Sequence, residues 1–209
     1  MSEFIKKNHL GDLKTLLRIY NAKGDLYKGK FLWISIAIDI LLTVDLGLSR
    51  SDIYGAISKI IESYIAILPC LLGFNLGAYA LLIGFGTSSF LGRISKNFDK
   101  KVTLFQRASS VFGFCVLLQA VALIFVFVTK QIIAIQESTG SDLLASILPD
   151  NAIAMINGSA YFIINLLGIY SITILVKVIE NIFSLSQLSH FYSGLEQAKV
   201  EPTKDVDQA

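Results

Sequence analysis

An aspartate stands near the middle of an apolar run in the first part of the chain. Asp39 lies nine residues after Lys30. A helical rise of about 1.5 Å per residue therefore places it roughly 13 Å along a helix. Ser35 and Thr43 flank it at i−4 and i+4, so the three polar side chains share one helix face. A carboxyl group in such surroundings binds a proton or a cation, or forms hydrogen bonds that hold helices together.

This polar stripe has two interpretations. In the first, Ser35, Asp39 and Thr43 line a pore or a proton-binding path. In the second, Asp39 is protonated or hydrogen-bonded to an amide of a neighbouring helix, and we favour it because no other ionisable side chain is expected at a similar depth. The candidate amides are Asn75, Gln119 and Asn165.

The sequence contains no other constellation with recognisable chemistry. His9 and His190 are far apart and lack metal-ligand spacing. Cys70 and Cys115 lie inside apolar runs, as expected for reduced thiols. Because no pattern of a nucleophile, a metal site or a phosphate-binding loop appears, we expect neither an enzyme nor a bound cofactor or metal.

The composition is that of an integral membrane protein. Hydrophobic residues make up 54% of the 209 residues and charged residues 16%, and the mean hydropathy is +0.63. Soluble domains contain about 25% charged residues. The apolar content excludes a disordered chain, and a net charge of +2 without a dense basic stripe argues against direct binding of nucleic acid.

Four apolar runs are long enough to cross a bilayer, whose core requires about 20 apolar residues. They lie at residues 31–48, within 63–92, at 108–129 and at 151–176. The first is the least favourable because it contains Asp39 and Asp45. Its eleven Leu, Ile, Val and Phe residues nevertheless offset a central aspartate that costs about 3 kcal/mol. The sequence predicts an all-α protein with four transmembrane helices.

The distribution of Lys and Arg predicts that both termini are cytoplasmic. The N-terminal arm contains seven of them and the loop between the second and third spans five, against three in the other two loops. The basic loop either enforces this topology and contacts anionic lipids, or docks an acidic soluble partner. Its basic residues are Arg93, Lys96, Lys100, Lys101 and Arg107.

Amphipathic helices are predicted in the cytoplasmic segments at both ends of the chain. We divide the chain into a basic N-terminal arm at 1–30, a membrane domain at 31–176 and a helical tail at 177–209. In the arm, the apolar residues of segment 10–20 recur at helical spacing, as in a helix that lies on the membrane surface. In the tail, an apolar stripe binds a soluble partner or folds back onto the N-terminal helix. The stripe consists of Val178, Ile182, Leu185, Leu188, Tyr192 and Leu195.

The second span presents a face of small residues that begins with a GxxxG element. Such a face lets two helix backbones approach closely, either within this chain or between two copies of it. We favour a homo-oligomer, with a tetramer among the options, because four helices alone enclose a modest interior. The face consists of Gly73, Gly77, Ala80 and Gly84.

The layout of four spans, cytoplasmic termini, a glycine-rich segment at 73–86 and a helical tail resembles the membrane subunit of the Kiwa anti-phage defence system. This resemblance implies a sensor in the bacterial inner membrane that responds to phage attachment and restrains or positions a soluble DNA-binding effector. It assigns no role to individual residues.

We therefore expect a sensor and scaffold without enzymatic activity. Its partners would be the lipid bilayer, further copies of itself and a cytosolic effector bound by the tail. The alternative is a homo-oligomeric ion channel in which Asp39 lines the pathway.

Overall fold

The computed structural model describes residues 11–23, 25–48, 53–85, 92, 94–95, 102–139 and 149–200, and these residues form helices with no β-strand. The prediction of an all-α chain is confirmed. A 3₁₀ turn at Asn21–Lys23 follows the first helix. The α-helices are α1 Leu13–Tyr20, α2 Asp25–Lys28, α3 Lys30–Leu48, α4 Ile53–Phe85, α5 Leu104–Thr139, α6 Asp150–Thr173 and α7 Leu175–Val200.

Three helical stretches in the described residues are long and apolar enough to cross a membrane. They are Ile53–Gly84, Leu104–Ser138 and Asn151–Leu195, and the third continues from α6 into α7. The remaining predicted span is α3, a helix of 19 residues. At the helical rise it is about 28 Å long, close to the thickness of a bilayer core. Its insertion and the cytoplasmic position of the termini stay predictions.

The N-terminal arm contains the predicted amphipathic helix, which begins at Leu13. Asp12 caps α1, because its Oδ1 accepts a hydrogen bond of 2.9 Å from the Thr15 backbone N–H. The hydrogen bonds that Thr15 donates from its side chain and its backbone lower the pKa of Asp12. Thr15, Ile19 and Tyr20 are buried against α5, which leaves the polar side of α1 exposed.

The helices α4 and α5 extend beyond the predicted spans on the side opposite the termini. The start of α4 is apolar, and Ile57 and Ile61 are buried in the bundle. The helix α5 continues to Thr139. Its charged residues Lys130 and Glu137 are exposed, so their desolvation cost is small. Residues 130–139, which follow the predicted third span, therefore belong to α5, whereas residues 140–148 lie outside the described residues.

The helix α6 occupies the centre of the bundle, since it packs against α3, α4 and α5. One core near the termini centres on Phe112, Phe114, Tyr170 and Ile174, and it includes Tyr20 of α1. A second core towards the opposite side surrounds Tyr64, Leu68, Val126, Tyr161 and Ile164. The helix α3 packs chiefly on α6, so most of its apolar side chains remain exposed.

Candidate functional site

Asp39 belongs to a buried cluster that joins three helices. Its side chain is 0% exposed, and Asn165 Nδ2 of α6 donates a hydrogen bond of 2.8 Å to Asp39 Oδ1. Tyr64 of α4 in turn donates from its hydroxyl to Asn165 Oδ1 at 2.8 Å. We call Asp39, Thr43, Tyr64 and Asn165 the carboxyl cluster. It links α3, α6 and α4 through side chains that lie far apart in the sequence.

Gly168 creates the space in which the ring of Tyr64 lies. A Cβ atom at this position would overlap the Tyr64 ring, so any side chain there would displace the tyrosine. Gly168 lies three residues after Asn165 on α6 and therefore on nearly the same face. The glycine and the amide together position the Tyr64 hydroxyl.

The carboxyl cluster contains two buried oxygen atoms that have no hydrogen-bond partner among the described residues, Asp39 Oδ2 and Thr43 Oγ1. They lie one helical turn apart on α3. The third member of the predicted stripe, Ser35, is satisfied: its hydroxyl contacts the Phe31 carbonyl at 2.8 Å and Thr173 Oγ1 at 2.7 Å. A proton on Asp39 would provide a donor for this pair of oxygens.

A second buried group, which we call the amide cluster, joins α4, α5 and α6. Asn75 Nδ2 donates to Gln119 Oε1 at 2.9 Å and to Cys115 Sγ at 3.4 Å. Gln119 Nε2 donates to the Ser171 carbonyl at 3.5 Å. Asn75 and Gln119, named above as candidate partners of Asp39, therefore bind each other, and Asn165 is the partner of the carboxyl group.

The carboxyl cluster is suited to hold helices together and to bind a proton. Because Asp39 is fully buried inside one copy of the chain, it faces the interior of the bundle and not a surface shared between copies. Within the described residues, no group of three or more His, Cys, Asp or Glu side chains is arranged to hold a metal ion.

The small-residue face of α4 has no partner within the described part of this chain. A Cβ atom at Gly73, Gly77 or Gly84 would meet nothing within 4 Å, and Ala80 is exposed. The sequence left two alternatives for this face, which were contact within one chain and contact between two copies. Contact with another helix of the same chain does not occur among the described residues.

The predicted stripe of the tail packs largely on this chain. Val178 belongs to the core near the termini, with Ile182 packed against it. Leu185 is 7% exposed and forms a smaller core with Ile94 and Ala108, against which Leu188 and Tyr192 pack. Leu195 is exposed. The stripe thus folds back mainly onto the start of α5, whereas the predicted fold-back was onto the N-terminal helix.

The opposite side of α7 carries an apolar stripe that we did not identify from the sequence. Phe183 is 63% exposed and Phe191 59%, and Ile179 lies on the same side. We call these three residues the outer stripe. Their spacing of four and eight residues keeps them within about one-third of the helix circumference, and this spacing is the signal that would have revealed them.

Three polar contacts join α7 to the rest of the protein where the helix leaves the bundle. Lys30 Nζ lies 3.4 Å from Glu180 Oε1, and Asn181 Nδ2 donates to the Ala108 carbonyl at 3.3 Å. Lys177 Nζ lies 4.5 Å from the centre of the Tyr20 ring, which stacks on Phe114. The ion pair and the cation–π contact both connect the N-terminal segment to the tail.

The predicted basic loop is described at one position. Arg107 lies in the first turn of α5, and its carbonyl accepts a hydrogen bond of 2.8 Å from the Ser110 hydroxyl. Arg93, Lys96, Lys100 and Lys101 lie outside the described residues. Both interpretations of the loop therefore stay predictions.

Comparison of the chain with protein-family models, with curated proteins and with solved structures finds no match.

Proposed function

We propose that this protein is a membrane-embedded sensor and scaffold without enzymatic activity, which detects disturbance of the bacterial inner membrane, as at phage attachment, and anchors a cytosolic effector. In this proposal α3 is the first of four spans, both termini are cytoplasmic, and α7 projects into the cytoplasm. The resemblance to the Kiwa membrane subunit is one support. The observation that carries the proposal is the outer stripe of α7.

The outer stripe is a surface that a soluble helix would not ordinarily expose. Phe183 and Phe191 follow Glu180, and in this proposal the ion pair of Glu180 with Lys30 lies at the cytoplasmic surface of the membrane. Exposed apolar residues that recur on one face of a helix in water are typical of protein interaction surfaces. Because the other face of α7 is already packed on this chain, the outer stripe is available to a partner.

The connection of α7 to the bundle supports a sensing role. Residues of α1, α5 and α7 share one core, in which Tyr20 stacks on Phe114 at 4.0 Å between ring centres. A movement of α5 or α6 caused by a change in the bilayer would alter the packing that holds α7. The position of a bound effector would then follow the state of the membrane.

Assembly of several copies fits the same proposal. The small-residue face of α4 has no neighbour within the described residues of one copy, and such faces commonly pack helix against helix in membranes. Contact between these faces in a homo-oligomer, with a tetramer among the options, would bring several tails together and let one effector bind more than one of them.

The outer stripe provides the test of the scaffold function. In the double variant Phe183→Asp/Phe191→Asp, we expect a soluble companion that co-purifies with the chain from its own host to be lost by more than about tenfold, because burial of each Phe contributes about 1.5–3 kcal/mol. Quantitative mass spectrometry of the detergent-solubilised complex measures this loss.

The control is Ser186→Asp/Ser189→Asp, which adds the same charges to exposed positions of the same helix. It should retain the companion, and both double variants should insert into the membrane as the unchanged chain does. Retention of the companion by Phe183→Asp/Phe191→Asp, or its absence from the unchanged chain, would contradict the scaffold function.

An ion channel is the second candidate function, and the two unpartnered oxygens of the carboxyl cluster favour it. Asp39 Oδ2 and Thr43 Oγ1 offer acceptors for a cation at the middle of the bundle. Since Asp39 is buried within one copy, such a path would pass through the interior of each copy. We expect Asp39→Asn to reduce cation conductance in planar bilayers if this function is correct, and unchanged conductance would exclude the role of Asp39.

A further inference from the structure

The helices α6 and α7 meet end to end at one residue, Ile174, which belongs to neither of them. Its backbone angles are φ −67° and ψ −17°, close to those of a 3₁₀ turn. The Lys177 N–H donates to the Ile174 carbonyl at 3.0 Å, so this bond spans three residues, whereas the bonds of an α-helix span four. Short 3₁₀ stretches inside a long helical path are typical of hinges and of strained segments.

The local sequence does not require an interruption at this point. Helices kink most often at Pro or Gly, and residues 169–193 contain neither. The hydroxyl of Ser171 donates to the carbonyl four residues before it at 2.7 Å, and that of Thr173 contacts the carbonyl three residues before it at 3.2 Å. Such bonds favour a bend, but they leave both an interrupted and a continuous helix available to the sequence.

Two buried side chains from other helices bind the end of α6. Ser35 Oγ of α3 lies 2.7 Å from Thr173 Oγ1. Gln119 Nε2 of α5 donates to the Ser171 carbonyl at 3.5 Å. We call these two contacts the clamp. Because a side-chain donor that competes for a helix carbonyl is a cause of helix kinks, the clamp favours the interrupted form.

The hydroxyl pair of the clamp has two protons for three contacts. Besides their mutual contact, Ser35 Oγ lies 2.8 Å from the Phe31 carbonyl and Thr173 Oγ1 lies 3.2 Å from the Tyr170 carbonyl. Each hydroxyl donates one hydrogen bond. The hydroxyl of Ser35 therefore retains an acceptor in the Phe31 carbonyl when it loses Thr173, so the clamp can open without leaving this hydroxyl unsatisfied.

The helix α3 supplies one half of the clamp. It packs chiefly on α6, where Asp39 binds Asn165 and Ser35 binds Thr173. The second of these contacts lies one residue before Ile174. A displacement of α3 away from α6 therefore opens the contact beside the interruption.

Beyond the interruption, α7 is packed on the start of α5. Leu185 forms a small core with Ile94 and Ala108, and Asn181 Nδ2 donates to the Ala108 carbonyl at 3.3 Å. The interruption thus lies between the part of the helical path that belongs to the bundle and the part that packs beside Ala108. Its geometry determines where α7 lies.

We propose that Ile174 is a hinge and that the clamp holds it in the interrupted form. With the clamp closed, α7 packs on the start of α5. When α3 moves away from α6 and the clamp opens, α6 and α7 join into a continuous helix and Leu185 leaves Ala108. The hinge does not depend on the sensor and scaffold function, because it concerns the position of α7 within one copy whether or not an effector is bound.

Distances between spin labels, measured by pulsed electron paramagnetic resonance in lipid nanodiscs, test the hinge. Exposed Cys70 is replaced by serine, whereas Cys115 is buried and does not react with the label. The tail pair, Ser186→Cys with Ile124→Cys, connects α7 to α5, and the bundle pair, Ile83→Cys with Ile124→Cys, connects α4 to α5. All three labelled positions are exposed. An excess of unlabelled chain suppresses distances between copies.

Thr173→Val opens the clamp at nearly constant volume, and we expect the tail pair to shift by about 6 Å. Ser186 follows Ile174 by 12 residues, which corresponds to about 18 Å of helix, and a change of about 20° in the helix direction moves its end by about 6 Å. The bundle pair should keep its distance. Thr173→Ser, which retains the hydroxyl, should restore the distance of the unchanged chain.

The matched control is Ser184→Ala, which removes a hydroxyl that donates to the Glu180 carbonyl at 2.8 Å on α7, away from the clamp. It should leave both label pairs unchanged. An unchanged tail pair in Thr173→Val would overturn the hinge. An equal shift in Ser184→Ala, or an equal shift of the bundle pair in Thr173→Val, would also overturn it, because the hydroxyl would then stabilise the helices in general.

Discussion

The carboxyl cluster and the amide cluster occupy the same bundle but satisfy their polar atoms to different extents. In the amide cluster, Asn75 and Gln119 complement each other at 2.9 Å because an amide contains both donors and an acceptor. In the carboxyl cluster, Asn165 satisfies one oxygen of Asp39, while Asp39 Oδ2 and Thr43 Oγ1 remain without partners. An ionised carboxyl group has acceptors alone, so it requires donors from its neighbours or a proton.

This difference separates a structural role from a role in binding. The amide cluster leaves one buried oxygen, Asn75 Oδ1, without a partner and needs no ligand to join its helices. The carboxyl cluster combines an ionisable group with an unpartnered hydroxyl on the next turn of α3. A second amide pair would hold the helices together equally well. Asp39 is therefore the better candidate for a group that binds and releases a proton or a cation.

The largest effect is expected when the carboxyl cluster loses its central amide. In Asn165→Leu, Asp39 loses its partner and the Tyr64 hydroxyl keeps only the backbone carbonyl of residue 165 at 3.3 Å, so we expect a loss of about 2–4 kcal/mol in the free energy of unfolding. Titration with SDS in mixed micelles, followed by Trp33 fluorescence, measures the change. Asn157→Leu, at a half-buried position of the same helix, is the control and should cost clearly less. Equal costs would show that the cluster does not stabilise the bundle.

A smaller loss is expected in the amide cluster. Gln119→Leu removes the acceptor of Asn75, but Asn75 Nδ2 retains Cys115 Sγ at 3.4 Å, so the cost should be about 1–2 kcal/mol. The same SDS titration, read by near-ultraviolet circular dichroism, detects it. The double variant Asn75→Leu/Gln119→Leu should cost less than the sum of the single variants, because it leaves no amide without its partner. Strict additivity would argue against the pairing.

The smallest effect is expected at the unpartnered hydroxyl. Thr43→Val removes a buried group that forms no hydrogen bond in the described part of this chain, at nearly constant volume, so stability should stay unchanged or rise by up to about 1 kcal/mol. Thr129→Val, which removes a hydroxyl bonded to the Phe125 carbonyl at 2.9 Å, is the matched comparison. Destabilisation by Thr43→Val in the same titration would reveal a partner supplied by lipid, by a ligand or by a second copy.

Local patterns in the sequence predicted where the helices lie, but they did not predict which side chains pack together between helices. The amphipathic spacing of the N-terminal arm predicted α1, and the absence of charge in three long runs predicted α4, α5 and α6. The same reasoning named three amides as partners of Asp39 and could not choose among them. It also assigned the stripe around Leu185 to a partner or to the N-terminal helix, whereas Leu185 packs beside Ala108.

The sequence by itself determined the helical, membrane-type character of the protein. The length and polarity of an apolar run are local properties, and they decide whether a helix can span a bilayer. It also determined that Asp39 must avoid lipid, since a charged or polar group there is costly. The tertiary structure alone decided that Asn165, 126 residues away, meets Asp39, and that Phe183 rather than Leu185 faces outwards. These outcomes depend on the relative rotation and depth of packed helices, which are set by contacts between distant side chains such as Tyr64 over Gly168.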